Sequence, residues 1–108
     1  MIKVTLKKKN ENIVSFKIEG HAGFDEYNRD IVCSAVSAIS QTTLIGILQV
    51  LNIHVEYQMV DGFLSLSIEE KTMEEIKKCQ VLLHTMQLGL KSMEQVYKDY
   101  INVREEEV

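Results

Sequence analysis

Two residues in this sequence have the types and the setting for nucleophilic chemistry, His21 and Cys33. His21 lies in Gly20-His21-Ala22-Gly23, a glycine-bracketed segment at the end of a strand-like run. Cys33 falls in the first turn of an apolar helix that begins near Asp30. The unpaired N–H groups and macrodipole of a helix N-terminus favour negative charge. A cysteine so placed, with an imidazole close by, meets the conditions under which a thiolate acts as a nucleophile at neutral pH. The residues alone leave two readings open. One is a nucleophile and its base; the other is a helical cysteine buried for packing and an incidental loop histidine.

The remaining candidates have plainer settings. Cys79 lies in the apolar stripe of a second helix and reads as a small buried hydrophobe. His84 falls off that stripe, and His54 sits on the polar side of an alternating run, so both read as surface residues. The sequence has no zinc-type spacing of Cys and His, no GxxxxGK[ST], no HExxH and no Cys-x-x-Cys. Two cysteines without a disulfide pattern point to free thiols in a reducing cytosol. The start, MIKVTLKKK, lacks the apolar core of a signal peptide, and no stretch reaches ~18 uninterrupted apolar residues, so no membrane partner is expected. A net charge of −4 argues against nucleic acid as a direct partner, which would call for a basic patch.

The elements that must position these residues follow from periodicity. The chain has 108 residues, 45% of them hydrophobic, which fits one domain spanning residues 1–108. Ile2, Val4 and Leu6 alternate with polar residues, as do Val14, Phe16 and Ile18, giving an antiparallel hairpin that delivers the chain to Gly20. A helix follows from about Asp30 to Leu51, with Asp30 as N-cap. At ~100° per residue, Asp30, Cys33, Ser34, Ser37, Ser40 and Gln41 share one polar sector of this otherwise apolar helix. Such a stripe is costly to bury unless it is hydrogen-bonded or lines a cleft or interface. Ile53, Val55, Tyr57 and Met59 then read as a third strand and Leu64, Leu66 and Ile68 as a fourth, joined at Asp61-Gly62 by a hairpin of type I′. Thr72-Met73-Glu74-Glu75 has the form of a capping box and opens a second helix to about Tyr97, in which Gly89 allows close helix packing. Ile101 and Val103 suggest a short last strand before a frayed acidic end, Glu105 to Glu107. The expected fold is α+β, a two-layer ββαββα(β) domain with an antiparallel sheet packed against two helices.

The residues Gly20-His21-Ala22-Gly23, Tyr27, Asp30-Ile31-Val32-Cys33, Ala35-Val36-Ser37 and Ala38, with the Asp61-Gly62 hairpin and the long second helix, resemble the ribosomal-processing cysteine protease (Prp) family over nearly the whole chain. Asn28 stands where the family commonly has glycine, and Phe24 where it often has tyrosine. The resemblance implies a cytoplasmic, homodimeric endopeptidase that needs no cofactor or metal. It implies removal of a short N-terminal extension from a large-subunit ribosomal protein, by cleavage after a phenylalanine. It makes His21 the base and Cys33 the nucleophile, with Asp30 and Ser37 in support and Gly20, Gly23, Tyr27 and Asn28 in a substrate loop.

Several details remain open at this level. Asp30 either orients His21, as the third member of a triad would, or only caps the helix. Ser37 either bonds near Cys33 or the substrate, or bonds its own helix. The Cys33 N–H is a candidate oxyanion donor. The loop 20–29 is expected to move without substrate and to order over it. The competing functions are a non-catalytic dimeric escort for a ribosomal protein, which would tolerate Cys33→Ala, and a thiol redox protein, which the lack of a second cysteine near Cys33 disfavours.

Overall fold

A computed structural model describes residues 1–26 and 29–108. In chain order the elements are β1 (Ile2–Lys9), β2 (Asn12–Glu19), α1 (Ile31–Ile45), β3 (Glu56–Val60), β4 (Phe63–Ser67), α2 (Met73–Val96) and β5 (Ile101–Glu107). The strands form one sheet in the order β3-β4-β2-β1-β5. Both helices belong to one layer, because the apolar residues of each strand alternate onto one face: Val4 pairs with Ile18, Leu6 with Phe16, and Leu66 with Phe16. Those side chains and Val32, Val36, Ile76, Leu83, Met86 and Leu90 from the helices are all buried in a single core.

The α+β class and both hairpins agree with the periodicity of the strands. The sheet is mixed rather than antiparallel, however, because β5 runs parallel to β1, with Ile2 opposite Ile101 through Lys8 opposite Glu107. The acidic end is therefore a strand and not frayed. Glu105 is bound by Lys8 and Lys91, each at 3.3 Å, and by the Gln87 amide. Charges that look like a solvated tail in the sequence thus pair with lysines distant along the chain.

Asp30 caps α1, and Thr72 and Glu75 close the capping box of α2. After Ile45 the helix widens into a π-helical turn, Gly46–Val50, and ends at Asn52 with φ 56°. By length and composition the run Ile31–Val50 would also cross a bilayer, with a mean hydropathy of 1.8. Here Val32, Val36, Leu44 and Ile47 are in the core. The two-residue turns exchange roles relative to expectation. Positive φ at both central residues, the type I′ signature, occurs at Asn10 (51°) and Glu11 (69°), whereas at Asp61-Gly62 only Gly62 (73°) is positive. The close approach between helices is likewise at Gly46, where an added Cβ would lie 2.9 Å from Leu82 Cδ1, and not at Gly89.

β3 departs most from its sequence pattern. It begins at Glu56 rather than Ile53, and Tyr57 and Met59 are about half exposed. Their register opposite Leu66 and Leu64 puts them on the helix side of the sheet. β3 is the sheet edge, and each of its five residues is exposed. The uncovered space between this edge and α1 is the cleft described next.

Candidate active site

The cleft has a volume of about 570 Å³ and lies between α1, the β3–β4 hairpin and the segment after β2. One wall is the polar arc of α1: Cys33, Ser34, Ser37, Ser40 and Gln41, with Asp30 at its head. The opposite wall is Met59, Val60, Asp61, Gly62 and Phe63, and Ile18, Val36 and Leu64 supply apolar lining. The polar stripe of an apolar helix is therefore explained: it faces a cleft. Within it Ser40 is buried and donates to the Val36 carbonyl at 2.8 Å, while Ser37 is exposed to the cleft.

Cys33 is the third residue of α1 and is half-buried. Its sulfur accepts the Ala22 N–H at 3.2 Å, which joins the segment after β2 to the start of the helix. A negative sulfur at this point is met by a backbone donor. The Cys33 N–H itself is not available as an oxyanion donor, because it donates to Asp30 Oδ1 at 3.0 Å. Asp30 is buried and accepts four backbone N–H groups. Oδ1 takes those of Val32 and Cys33, and Oδ2 takes those of Phe24 and Asp25 at 2.9 and 3.2 Å. Burial alone would raise its pKa, but the bonds from Cys33, Asp25, Phe24 and Val32 outweigh burial and lower it. Asp30 is thus a cap and a loop clamp in one residue.

His21 lines the same cleft from the opposite side, with its Nε2 3.8 Å from Asp61 Oδ2. Gly20 N–H donates to the Gly62 carbonyl at 2.9 Å and so ties the end of β2 to the β3–β4 turn. Gly20 has φ 97°, and a Cβ there would lie 2.5 Å from the Met1 carbonyl oxygen, so this position admits glycine and little else. Residues 20–26 are fastened at several points: Gly20 to Gly62, Ala22 to Cys33, Phe24 and Asp25 to Asp30, and the Phe24 ring edge-on to Tyr97 and Tyr100 at 5.7 and 5.1 Å. Tyr27 and Asn28 lie outside the described residues.

The other sulfur and imidazoles stand apart from the cleft. Cys79 is fully buried, and burial, with the Glu75 charge, pushes its thiol up, as suits a packing residue. His54 is exposed just before β3, and His84 is half-buried rather than exposed. Sequence reasoning missed the Ala22 N–H and the Asp61-Gly62 turn as parts of the site. Both arrive through contacts between segments that no local pattern encodes.

The family model described as cysteine protease Prp matches residues 1–102. The chain belongs to the Prp family of cysteine proteases. It is 30% identical to the ribosomal processing cysteine protease Prp of Bacillus subtilis, over 95% of this chain and 96% of that one. Among solved structures it resembles a Streptococcus mutans protein, with TM-score 0.87 and 26% identity over 100% of this chain and 96% of that chain. It also resembles the essential Prp of Staphylococcus aureus in complex with a covalently linked product peptide, with TM-score 0.85 and 25% identity over 98% and 100% of the two chains. The chain is thus a cysteine protease of that family, in the α+β fold that the family shares.

Proposed function

We propose that this chain removes a short N-terminal extension from a large-subunit ribosomal protein, cutting after a phenylalanine, with Cys33 as nucleophile and His21 as base. The observation that carries this reading is that Cys33 and His21 line one cleft, with the sulfur against a backbone N–H at the start of α1. The name of the Bacillus subtilis relative supports a ribosomal target. The Staphylococcus aureus structure, with its covalently linked product peptide, supports a peptide occupant for the cleft. The apolar lining of Ile18, Val36, Met59 and Leu64 suits a phenylalanine side chain.

In this reading His21 takes the Cys33 proton and the thiolate attacks the phenylalanine's own carbonyl carbon. Protonated His21 then gives its proton to the leaving amine, and water hydrolyses the thioester to release the extension. In this reading the Ala22 N–H, which holds the sulfur at rest, turns to the oxyanion once the thiolate has attacked. Asp30 acts through the backbone it clamps, and Ser37 meets the peptide from the α1 wall. The enzyme works in the cytoplasm as a homodimer and without a cofactor. Exposed Ile45, Val50, Val81 and Leu88 on the helical layer are apolar enough to favour self-association.

The test is mass spectrometry of the extended ribosomal protein after incubation with the wild type, Cys33→Ala and His21→Ala. A single cut after phenylalanine, absent with both variants, is the expected result. Cleavage that persists in Cys33→Ala overturns the assignment, and an intact substrate that co-purifies with the wild type favours an escort. Sedimentation velocity at micromolar concentration checks the dimer.

A further inference from the structure

The β3–β4 turn meets His21 more closely than any sequence pattern would suggest. A Cβ built on Gly62 would fall 2.8 Å from His21 Nε2, 3.3 Å from Cε1 and 3.5 Å from Cδ2, so the imidazole lies against the Gly62 backbone. The Gly62 carbonyl holds the Gly20 N–H, one residue before that histidine. Asp61 Oδ2 stands 3.8 Å from Nε2, beyond a direct hydrogen bond but within reach of charge and of a bridging water. Among the described residues, the titratable groups that line the cleft are His21, Asp25, Asp30, Cys33 and Asp61. Asp30 is occupied by four N–H groups, and Asp25 Oδ1 accepts the Glu26 N–H at 2.7 Å. Among the described residues, the carboxylate within 4 Å of the imidazole is that of Asp61.

We propose that the Asp61-Gly62 turn seats the base of this protease: Gly62 gives the imidazole its floor, and the Asp61 carboxylate orients Nε2 so that Nδ1 faces the thiol. Asp61 and Gly62 are positioning residues that act through His21. The inference rests on the reading of His21 as the base. It assigns the orienting role, which the sequence offered to Asp30, to a carboxylate on a different element. With Nε2 turned to Asp61, the proton passes between sulfur and Nδ1 and the ring need not rotate between the two steps.

The experiment measures peptide cleavage and the rate of Cys33 alkylation by iodoacetamide at neutral pH. The full chain is used as wild type, Asp61→Asn, Asp61→Glu, Gly62→Ala, His21→Ala and the two double variants with His21→Ala. Asp61→Asn is expected to lower both rates by about threefold to fivefold, in line with a half-exposed charge pair. The loss falls on kcat with KM unchanged, and Asp61→Glu recovers it. Gly62→Ala displaces the ring and is expected to cost on the order of a hundredfold in cleavage. Neither substitution changes the alkylation rate further once His21 is alanine. A merely structural turn would lose rate equally in both backgrounds, with a lower Tm, and that result overturns the proposal. So does an Asp61→Asn enzyme with wild-type rates while His21→Ala is inactive. If His21→Ala itself cleaves and alkylates at wild-type rates, the reading of His21 as base fails first, and the seat falls with it.

Discussion

The Asp30 carboxylate accepts the Phe24 N–H at 2.9 Å, so the residue that caps α1 also holds the segment that carries Ala22 to Cys33. The two tasks need both oxygens as acceptors. In Asp30→Asn only one oxygen remains, and the amide nitrogen is a donor. If the oxygen keeps the cap, the amide turns a donor toward the N–H groups of Phe24 and Asp25. A loss of about 1–3 kcal/mol in stability is expected from those unmet groups. Thermal unfolding measures it, and hydrogen exchange at residues 22–26 should quicken in parallel. Unchanged exchange in a folded Asp30→Asn protein would mean that the segment is held elsewhere.

Acid should undo this clamp in a defined direction. Asp30 is lowered from its ordinary 3.8, as backbone N–H bonds overcome burial. Glu105 is lowered from its ordinary 4.5, because its bonds to Lys91 and Lys8 likewise overcome burial. A carboxyl whose folded pKa lies below its unfolded one binds fewer protons in the fold. Its stabilisation is complete above the unfolded value and is lost as pH falls through the folded value. Denaturant unfolding is therefore expected to show a plateau above about pH 5 from these two groups and a decline below about pH 4. In Asp30→Asn with Glu105→Gln the acid decline should be shallower. An equal slope would place the acid sensitivity in other groups.

Much of the site was legible because a helix makes it so. Six polar residues at spacings of three and four, from Asp30 to Gln41, could share one sector only if that sector faced a partner or a cleft, and it faces the cleft. The capping box of Thr72 and Glu75 was legible for the same local reason. What escaped was non-local. Tyr57 and Met59 alternate like core residues, yet β3 is an edge, and edge status is a property of the whole sheet. Glu105 looks solvated until Lys8 and Lys91 arrive beside it. The Ala22 N–H has no side-chain signature at all.

Gln80 is a second non-local clamp and gives a stability prediction far from the cleft. Its side chain accepts the Ile13 N–H at 2.8 Å and donates to the Ile13 carbonyl at 3.0 Å. Ile13 lies opposite Lys8, next to the point where the β1–β2 register skips Val14, so Gln80 braces the strand beside an irregular stretch of the ladder. Gln80→Leu keeps the volume and removes both partners. Each group left unmet next to a buried residue should cost about 1–3 kcal/mol. Denaturant unfolding is the check, with Gln80→Glu intermediate because it still accepts from the N–H. A Gln80→Leu midpoint equal to wild type would show that water serves the bulge as well as the glutamine does.

Two helical glycines separate helix propensity from packing. At Gly89 a Cβ would meet only Ile39, at 3.9 Å, which is ordinary contact. Gly89→Ala is therefore expected to stabilise the fold by about 0.5–1 kcal/mol, the usual cost of glycine inside a helix. At Gly46 the same Cβ would stand 2.9 Å from Leu82 Cδ1, so the leucine must shift within the interface of the two helices. That displacement offsets the propensity gain, and Gly46→Ala should be neutral or destabilising. Neither glycine lines the cleft, and cleavage should be unchanged at temperatures where both variants are folded. The decisive quantity is the order of the two midpoints. Gly46→Ala above Gly89→Ala would mean that Leu82 yields freely and that this helix contact is looser than its distances imply.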